Sequence, residues 1–366
     1  MGPELFASAR LVLDSLAKSF DLRFEYVNAP AGDRELKKSG AALPKSSFAT
    51  IKESDACLKA PVGESARDSI VKIRQELDLF ANIRPAKNYP FIESKFSGVD
   101  LVVARENTED LYVSRESVHE HGAKATALKV VTRKASTRIA RYAFDLALAR
   151  SANRDSERKS SSVVCVSKSN ILPKTDGLFV KSCASVAKRY PSVSFSTMYV
   201  DSAAMNLVRN PEAFDVIVTS NMYGDILSDE ASQIVGGLGV APSANIGDDF
   251  ALFEPVHGAA PDIAGKGIAN PFAMILSVKM MLDWLGKTRH SEDCLRASEA
   301  LLDAVYAVGE SGVKTRDIGG NASTDQVAQN VSREILSRKA SYENMGDQQG
   351  QERGMMRNLV KSTVKK

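Results

Sequence analysis

The sequence predicts an α/β protein with a largely parallel sheet. Three observations carry that prediction. Short apolar runs such as VDLVVARE (99–106), SVVCVSK (162–168) and FDVIVTSN (214–221) alternate with longer helical stretches. These runs are apolar at successive positions, the pattern of strands covered on both faces. Polar or Gly/Pro-rich stretches separate them.

In chain order, residues 3–18 carry an amphipathic stripe of Leu5, Phe6, Ala9, Val12, Leu13 and Leu16, with Pro3 suited to a first helical turn. LRFEYVN (22–28) alternates as a strand. IVKIRQEL (70–77) has helical spacing, and LDLFANI (77–83) reads as a strand. After the run at 99–106, ALKVVT (127–132) is a further buried-strand candidate, and STRIARYAFDLALARS (136–151) is a helix. The strand at 214–221 runs directly into a helical pattern at 221–239. ANPFAMILSVKMMLDWLG (269–286) is a nearly all-apolar helix, followed by another at 291–309. The polar stretch 150–162 and the Gly/Pro-rich GGLGVAPSANIGDD (236–249) read as surface connections.

Composition narrows the function classes. The 366 residues leave room for about two domains. Hydrophobic residues make up 43% and charged residues 25%, ordinary for a globular chain. No apolar run approaches the ~18 residues of a membrane span, and no signal-peptide pattern opens the chain. Cys57, Cys165, Cys183 and Cys294 are scattered without a C-x-x-C pair, as expected of reduced thiols in a cytoplasmic protein. The net charge of +3 belongs to the last 28 residues, 339–366, whose polar composition predicts disorder. The neutral remainder does not suit nucleic acid.

The chemistry-bearing stretches come next. In NMYGDILSDEASQIVGGLG (221–239), Asp225 and Asp229 share one helix face. Two such acids suit a solvated helix start or a Mg²⁺ or Mn²⁺ site that keeps positions open for a substrate. Asp225 follows a buried strand, where ligands bind in open α/β sheets, and Asp201 ends another apolar segment as a third carboxylate. Arg74, Arg84 and Arg105 form either salt bridges with nearby acids or a guanidinium cluster that grips carboxylates. Tyr112, seven residues beyond Arg105, can supply a proton. Lys168 ends a strand, as a base or as a surface lysine. FEPVHGAAPDIAGKGIANP (253–271) is rich in Gly, Ala and Pro, so its backbone can approach a ligand closely. No G-x-G-x-x-G occurs, so the usual dinucleotide fingerprint is absent.

NIRPAK, RENTEDLY, NMYGDILSDEASQIVGGLGVAPSANIG and FEPVHGAAPDIAGKGIANP together resemble the β-decarboxylating dehydrogenases, the isocitrate and isopropylmalate dehydrogenases, over residues 2–335. APVGESARDSIVKIRQELDLFANIRPAK draws the likeness toward the archaeal 3-isopropylmalate branch. The resemblance implies two α/β domains around a cleft. Residues 1–83 and 237–338 would bind the cofactor, and residues 84–236 would hold the dimer contact and the substrate and metal site. It implies a homodimer with shared sites. Asp225 and Asp229 would hold Mg²⁺ or Mn²⁺ with Asp201 of the second copy. Arg74, Arg84 and Arg105 would bind the substrate, Lys168 of the second copy would act as base, and Tyr112 would act as acid.

For the cofactor, the resemblance assigns Glu254, His257, Gly258, Ala260, Asp262, Ile263, Ala269 and Asn270. Asp262 accepts from a ribose 2′-hydroxyl and repels a 2′-phosphate, which selects NAD. For the substrate's third group, Asp68 stands where isocitrate-specific members carry Ser, and Ile70 where they carry Asn. Asp68 repels a carboxylate, while Ile70, Val71 and Ile171 suit an isopropyl group. The expectation is oxidative decarboxylation of 3-isopropylmalate in leucine biosynthesis. Isocitrate or homoisocitrate is the alternative, with Ser69 as a substitute donor, and a non-catalytic regulatory paralogue is the reading from another class. The family opens with a strand and a GDGIGPE loop. This chain starts at MGPE, so the sheet is expected to lack that strand, with the true start upstream.

Overall fold

The computed structural model describes residues 1–152 and 161–339. The expected disordered tail therefore lies outside the described residues, apart from Lys339, as does most of the polar stretch at 150–162. The described part is built on one eight-stranded sheet, ordered β1 (Cys57–Leu58), β10 (Ala251–Pro255), β9 (Pro242–Ile246), β2 (Ala81–Lys87), β3 (Asp100–Glu106), β8 (Val216–Thr219), β6 (Ser162–Ser167) and β7 (Ser194–Tyr199). The sheet is mixed rather than largely parallel. The run β3–β8–β6–β7 is parallel, and so is β1 with β10, but β10–β9–β2–β3 is antiparallel. Pro85 is tolerated in β2 because β9 pairs only with Ala81–Ile83, leaving no partner on that side for the missing N–H.

The parallel half behaves as its apolar runs require. Val102, Ala104, Val163, Cys165, Val216 and Val218 join the main core with α5 (Arg133–Ala152) and α6 (Thr175–Ala187). Their neighbours Leu101, Val103, Val164, Val166 and Ile217 pack with Leu207 of α7 (Val200–Arg209) and Leu227 and Ala231 of α8 (Asn221–Ile234). Period-2 side-chain alternation thus gives each strand two covered faces. At the other end, α9 (Phe272–Thr288) lies inside the core, packed by α1 (Gly2–Ser19), α10 (Glu292–Glu310) and α11 (Thr324–Ser337). Ser323 and Gln326 form a reciprocal cap that starts α11. A smaller cluster joins Ile51 of α3 (Lys45–Glu53), Ile70, Ile73 of α4 (Lys72–Glu76), Leu79 and Leu252. Between them, α2 (Asp33–Ser39) buries no residue.

Four further expectations change. Residues 22–28 form no strand. Leu22, Phe24 and Tyr26 still turn half-buried toward the core while Arg23, Glu25 and Val27 stay exposed. The alternation survives without a neighbouring ladder, and the Tyr26 hydroxyl instead donates to Asp14 at 2.8 Å. The strand expected at 77–83 begins only at Ala81. The strand expected at 127–132 is also absent: β5 (Lys124–Ala127) ends there and pairs with β4 (Glu116–His119) in an exposed two-stranded ribbon. Most consequentially, 236–249 is no surface connection, because β9 is wholly buried in the middle of the sheet. Its polar residues are matched inside the sheet, as buried amides must be.

Candidate active site

Gly224 explains how Arg105 reaches the site. It lies in the first turns of α8, and a Cβ there would stand 2.6 Å from Arg105 Cγ. Glycine alone lets the arginine side chain lie flat across the helix. Arg105 is 1% exposed. Its Nε donates to Asn221 Oδ1 at 2.8 Å, and its Nη1 pairs with Asp225. Arg84 joins the same carboxylate at 3.1 Å and also reaches Ser228 Oγ at 2.9 Å and Asp229 Oδ1 at 3.1 Å. The Tyr112 hydroxyl donates to the other oxygen of Asp225 at 2.6 Å, with the Arg105 guanidinium 5.0 Å from its ring centroid.

The electrostatics follow from this crowding. Burial and the neighbouring Arg84 push Arg105 down to about 10 against the pull of Asp225. Burial would raise Asp225, but Arg105, Arg84 and the Tyr112 hydrogen bond hold it below the usual carboxylate range. Asp229 goes the other way: burial and the Asp225 charge raise it despite Arg84. Burial also raises Tyr112, with Asp225 opposing Arg105, so the phenol keeps its proton at neutral pH. Two buried donors, Arg105 Nη2 and Arg74 Nε, have no partner among the described residues. Guanidinium N–H groups left bare in a buried site fit an anionic ligand.

A polar seam supports the cluster from behind. Arg84 Nε donates to Asn82 Oδ1 at 2.7 Å. Asn82 and Asn107 both donate to Asn245 Oδ1, at 2.9 and 3.0 Å, and Asn245 donates to Glu254 at 2.9 Å. Glu254 also pairs with Arg74 at 3.0 Å and Lys59 at 2.6 Å. Burial would raise the Glu254 carboxyl, but Lys59 and Arg74 hold it down at about 2.

Lys168 and Asp201 lie elsewhere in the chain's own fold. They pair with each other at 2.5 Å near the ends of β6 and β7. That contact lowers the Asp201 carboxyl. Ile171, one turn on, is 66% exposed. Among the described residues of one chain, no three His, Cys, Asp or Glu side chains gather as a metal site.

The model of the isocitrate/isopropylmalate dehydrogenase family matches residues 1–331. The chain belongs to that family. A 3-isopropylmalate dehydrogenase of Sulfurisphaera tokodaii is 50% identical over 332 residues, covering 90% of this chain and 95% of that protein. An isocitrate/homoisocitrate dehydrogenase of Thermus thermophilus is 44% identical over 343 residues, covering 92% and 96%. Among solved structures, the isocitrate dehydrogenase of Methylococcus capsulatus superposes with a TM-score of 0.83 at 39% identity, covering 91% and 96%.

In this dehydrogenase Glu254, assigned to the cofactor, lies within β10 and is taken up by Lys59 and Arg74, while the other residues assigned to the cofactor lie on the stretch after β10. His257 Nδ1 lies 3.1 Å from the Gly258 carbonyl oxygen, and burial lowers its pKa. Ala260 takes a left-handed φ of 37°, and Asp262 is exposed. Ile263 leans half-buried on the main core, Ala269 is buried, and the Asn270 amide donates to Asp317 at 2.9 Å. The Glu4 carboxylate accepts the N–H groups of Gly265 and Gly267 at 3.1 and 3.2 Å, tying α1 to this loop. Of the four residues read for the third substrate group, Asp68 and Ile171 are exposed, Val71 is half-buried, and Ile70 packs into the small core cluster. Sequence reasoning missed Gly224, Asn221, Ser228, Lys59 and the three asparagines. The available signals were a glycine inside a helical pattern and asparagines inside apolar strands. Among the described residues no helix is long and apolar enough to cross a membrane.

Proposed function

We propose that this chain catalyses the NAD-linked, divalent-metal-dependent oxidative decarboxylation of 3-isopropylmalate to 4-methyl-2-oxopentanoate and CO₂, a step of leucine biosynthesis. The observation that carries the reading is the arginine cluster around Asp225, with two buried guanidinium donors lacking partners beside a protonated Tyr112. That arrangement suits a small acid bearing two carboxylates.

Asp225 and Asp229, with Asp201 of a second copy, have the hard oxygen donors that Mg²⁺ or Mn²⁺ takes. Burial and then the Asp225 charge raise the Asp229 carboxyl, and a cation would relieve both. When bound, the cation supplies positive charge at the substrate hydroxyl and its carboxylate, and NAD supplies the hydride acceptor. Arg74, Arg84 and Arg105 hold the carboxylates. Lys168 takes the hydroxyl proton as C2 gives up its hydride. The bond from C3 to its carboxylate then breaks, and its electron pair passes to the C2–C3 enolate as CO₂ leaves. Tyr112 returns a proton to C3.

A homodimer belongs to the same proposal. Within one chain Lys168 and Asp201 pair with each other, while Asp225 pairs with Arg84, Arg105 and Tyr112. Ile171, Met205 and Val208 of α7 and Ile226 of α8 are exposed apolar side chains that a second copy could cover. The closing cleft would lie between residues 84–236 and the remainder. For the substrate, the 50% identical relative is named for 3-isopropylmalate. Ser69, the substitute donor for isocitrate, is 1% exposed and already donates to the Ser65 carbonyl at 2.8 Å. The T. thermophilus relative keeps isocitrate and homoisocitrate as the second reading.

The test is NADH formation with Mg²⁺ and 3-isopropylmalate, isocitrate or homoisocitrate, each repeated after chelation. The expected result is preference for 3-isopropylmalate, lost on chelation and restored by Mg²⁺ or Mn²⁺. Preference for isocitrate would sink the pocket argument. No turnover by a folded dimer would favour the regulatory paralogue.

A further inference from the structure

Lys129 lies between the exposed ribbon and α5, outside every role assigned above. Its Nζ sits 2.7 Å from Asp176 Oδ1 and 3.4 Å from Asp110 Oδ1. It also lies 4.5 Å from the centroid of the Tyr223 ring. Both carboxylates are 1% exposed, so Lys129 is their shared counter-charge. Each acid uses its second oxygen on a backbone N–H of a functional segment. Asp176 Oδ2 accepts the N–H of Lys168 at 2.7 Å. Asp110 Oδ2 accepts the N–H of Met222 at 3.0 Å, in the first turn of α8 and three residues before Asp225.

Asp110 is itself held in an unusual conformation. Its φ is 69°, a region that side chains other than glycine rarely adopt. Its backbone N–H donates to the carbonyl of Val130, the neighbour of Lys129, at 2.8 Å. Tyr112 follows two residues later. One ammonium therefore meets three segments: the turn that carries Lys168, the turn that carries Tyr112, and the start of the helix that carries Asp225 and Asp229.

We propose that Lys129 is a positioning residue that locks together the two half-sites carried by a single chain, one around Asp225 and Tyr112 and the other around Lys168. Without its charge, two buried carboxylates face each other. Their repulsion favours one of them turning away, and it then releases the backbone N–H it holds. The active-site groups would lose register while their own side chains stayed intact, and sub-ångström placement governs such chemistry. The inference relies on the proposed function only for the roles of Lys168, Tyr112 and Asp225.

The test uses the full chain and Lys129→Met, Lys129→Arg and Asp176→Asn. Steady-state kinetics with 3-isopropylmalate, NAD and Mg²⁺ are paired with amide hydrogen exchange at Lys168 and Met222 in the absence of substrate. Lys129→Met is expected to lower kcat about tenfold or more with both KM values within about threefold. Exchange should quicken at Lys168 and Met222 together, and Lys129→Arg should recover most of both effects. Asp176→Asn keeps the shape but has one acceptor where two are needed. It should lower kcat and loosen Lys168 while Met222 stays protected.

A Lys129→Met enzyme that melts earlier yet keeps its kcat and its protection at both amides would overturn the proposal, leaving Lys129 a charge balancer. Should Lys129→Met fail to fold, Asp176→Asn decides alone: unchanged kcat and unchanged protection at Lys168 would refute the lock. If the parent chain turns over no hydroxy acid, the proposed function fails, and the exchange data still decide whether Lys129 locks the two segments.

Discussion

Gly224 is the residue on which the proposed anion site turns. A methyl group there would stand 2.6 Å from Arg105 Cγ, so the arginine must shift away from its present contacts with Asn221 and Asp225. Gly224→Ala should therefore leave α8 folded, since alanine favours helix, while displacing Arg105. Loss of one charged hydrogen-bonding group of this kind corresponds to about 2–3 kcal/mol, or roughly a 30- to 150-fold rise in KM for the hydroxy acid. Circular dichroism beside the kinetics checks both halves, and an unchanged KM would mean Arg105 does not face the substrate. At this scale much was legible. Arg84, Arg105 and Lys168 stood at or just past the ends of apolar runs and Asp225 shortly after one, where charge is costly without a purpose. Tyr112 and Asp229 followed from their spacing to Arg105 and Asp225. The residues that aim them were not legible, because Gly224 and Asn221 act through contacts with a strand more than a hundred positions away.

Among the elements, β9 and β10 carry the least obvious message. A run of Pro, Ser, Ala, Asn and Ile resembles a loop by propensity, yet tertiary pairing with β2 and β10 makes it a central strand. The converse held at 22–28, where strand-like alternation found no ladder, and at 127–132, where an apolar run crosses from an exposed ribbon toward α5. Periodicity records which side of a segment faces the core but does not supply its hydrogen-bonding neighbour. The long helices needed none and were readable almost to their ends. Glu254 shows what the strand pairing achieves, because it joins β10 to Arg74 of α4 and to Lys59 beyond β1. Its carboxyl is depressed from 4.5 to about 2, so its stabilisation is complete above about 4.5 and disappears as pH falls toward 2. Glu254→Gln should cost roughly 3–5 kcal/mol at neutral pH by stranding two buried cations. Urea midpoints of parent and variant should converge as the pH falls through that window; a constant gap would refute the assignment.

For the whole molecule, the proposed sharing of Asp225 and Lys168 between the two copies of a homodimer predicts complementation. Asp225→Asn and Lys168→Met should each be inactive alone. Unfolded and refolded together, they should regain part of the activity, because a mixed dimer holds one site with both native groups. Recovery absent from a mixture shown to contain heterodimers would place both residues in one chain's site.

The amide seam of Asn82, Asn107 and Asn245 has a mechanical consequence. Interdigitated aliphatic side chains resist relative motion, since any shift opens a void that nothing fills. Amides can exchange partners with one another or with an entering water at little net cost. Bending along the line behind Arg84 can therefore proceed by swapping hydrogen bonds, and the interior need not be torn.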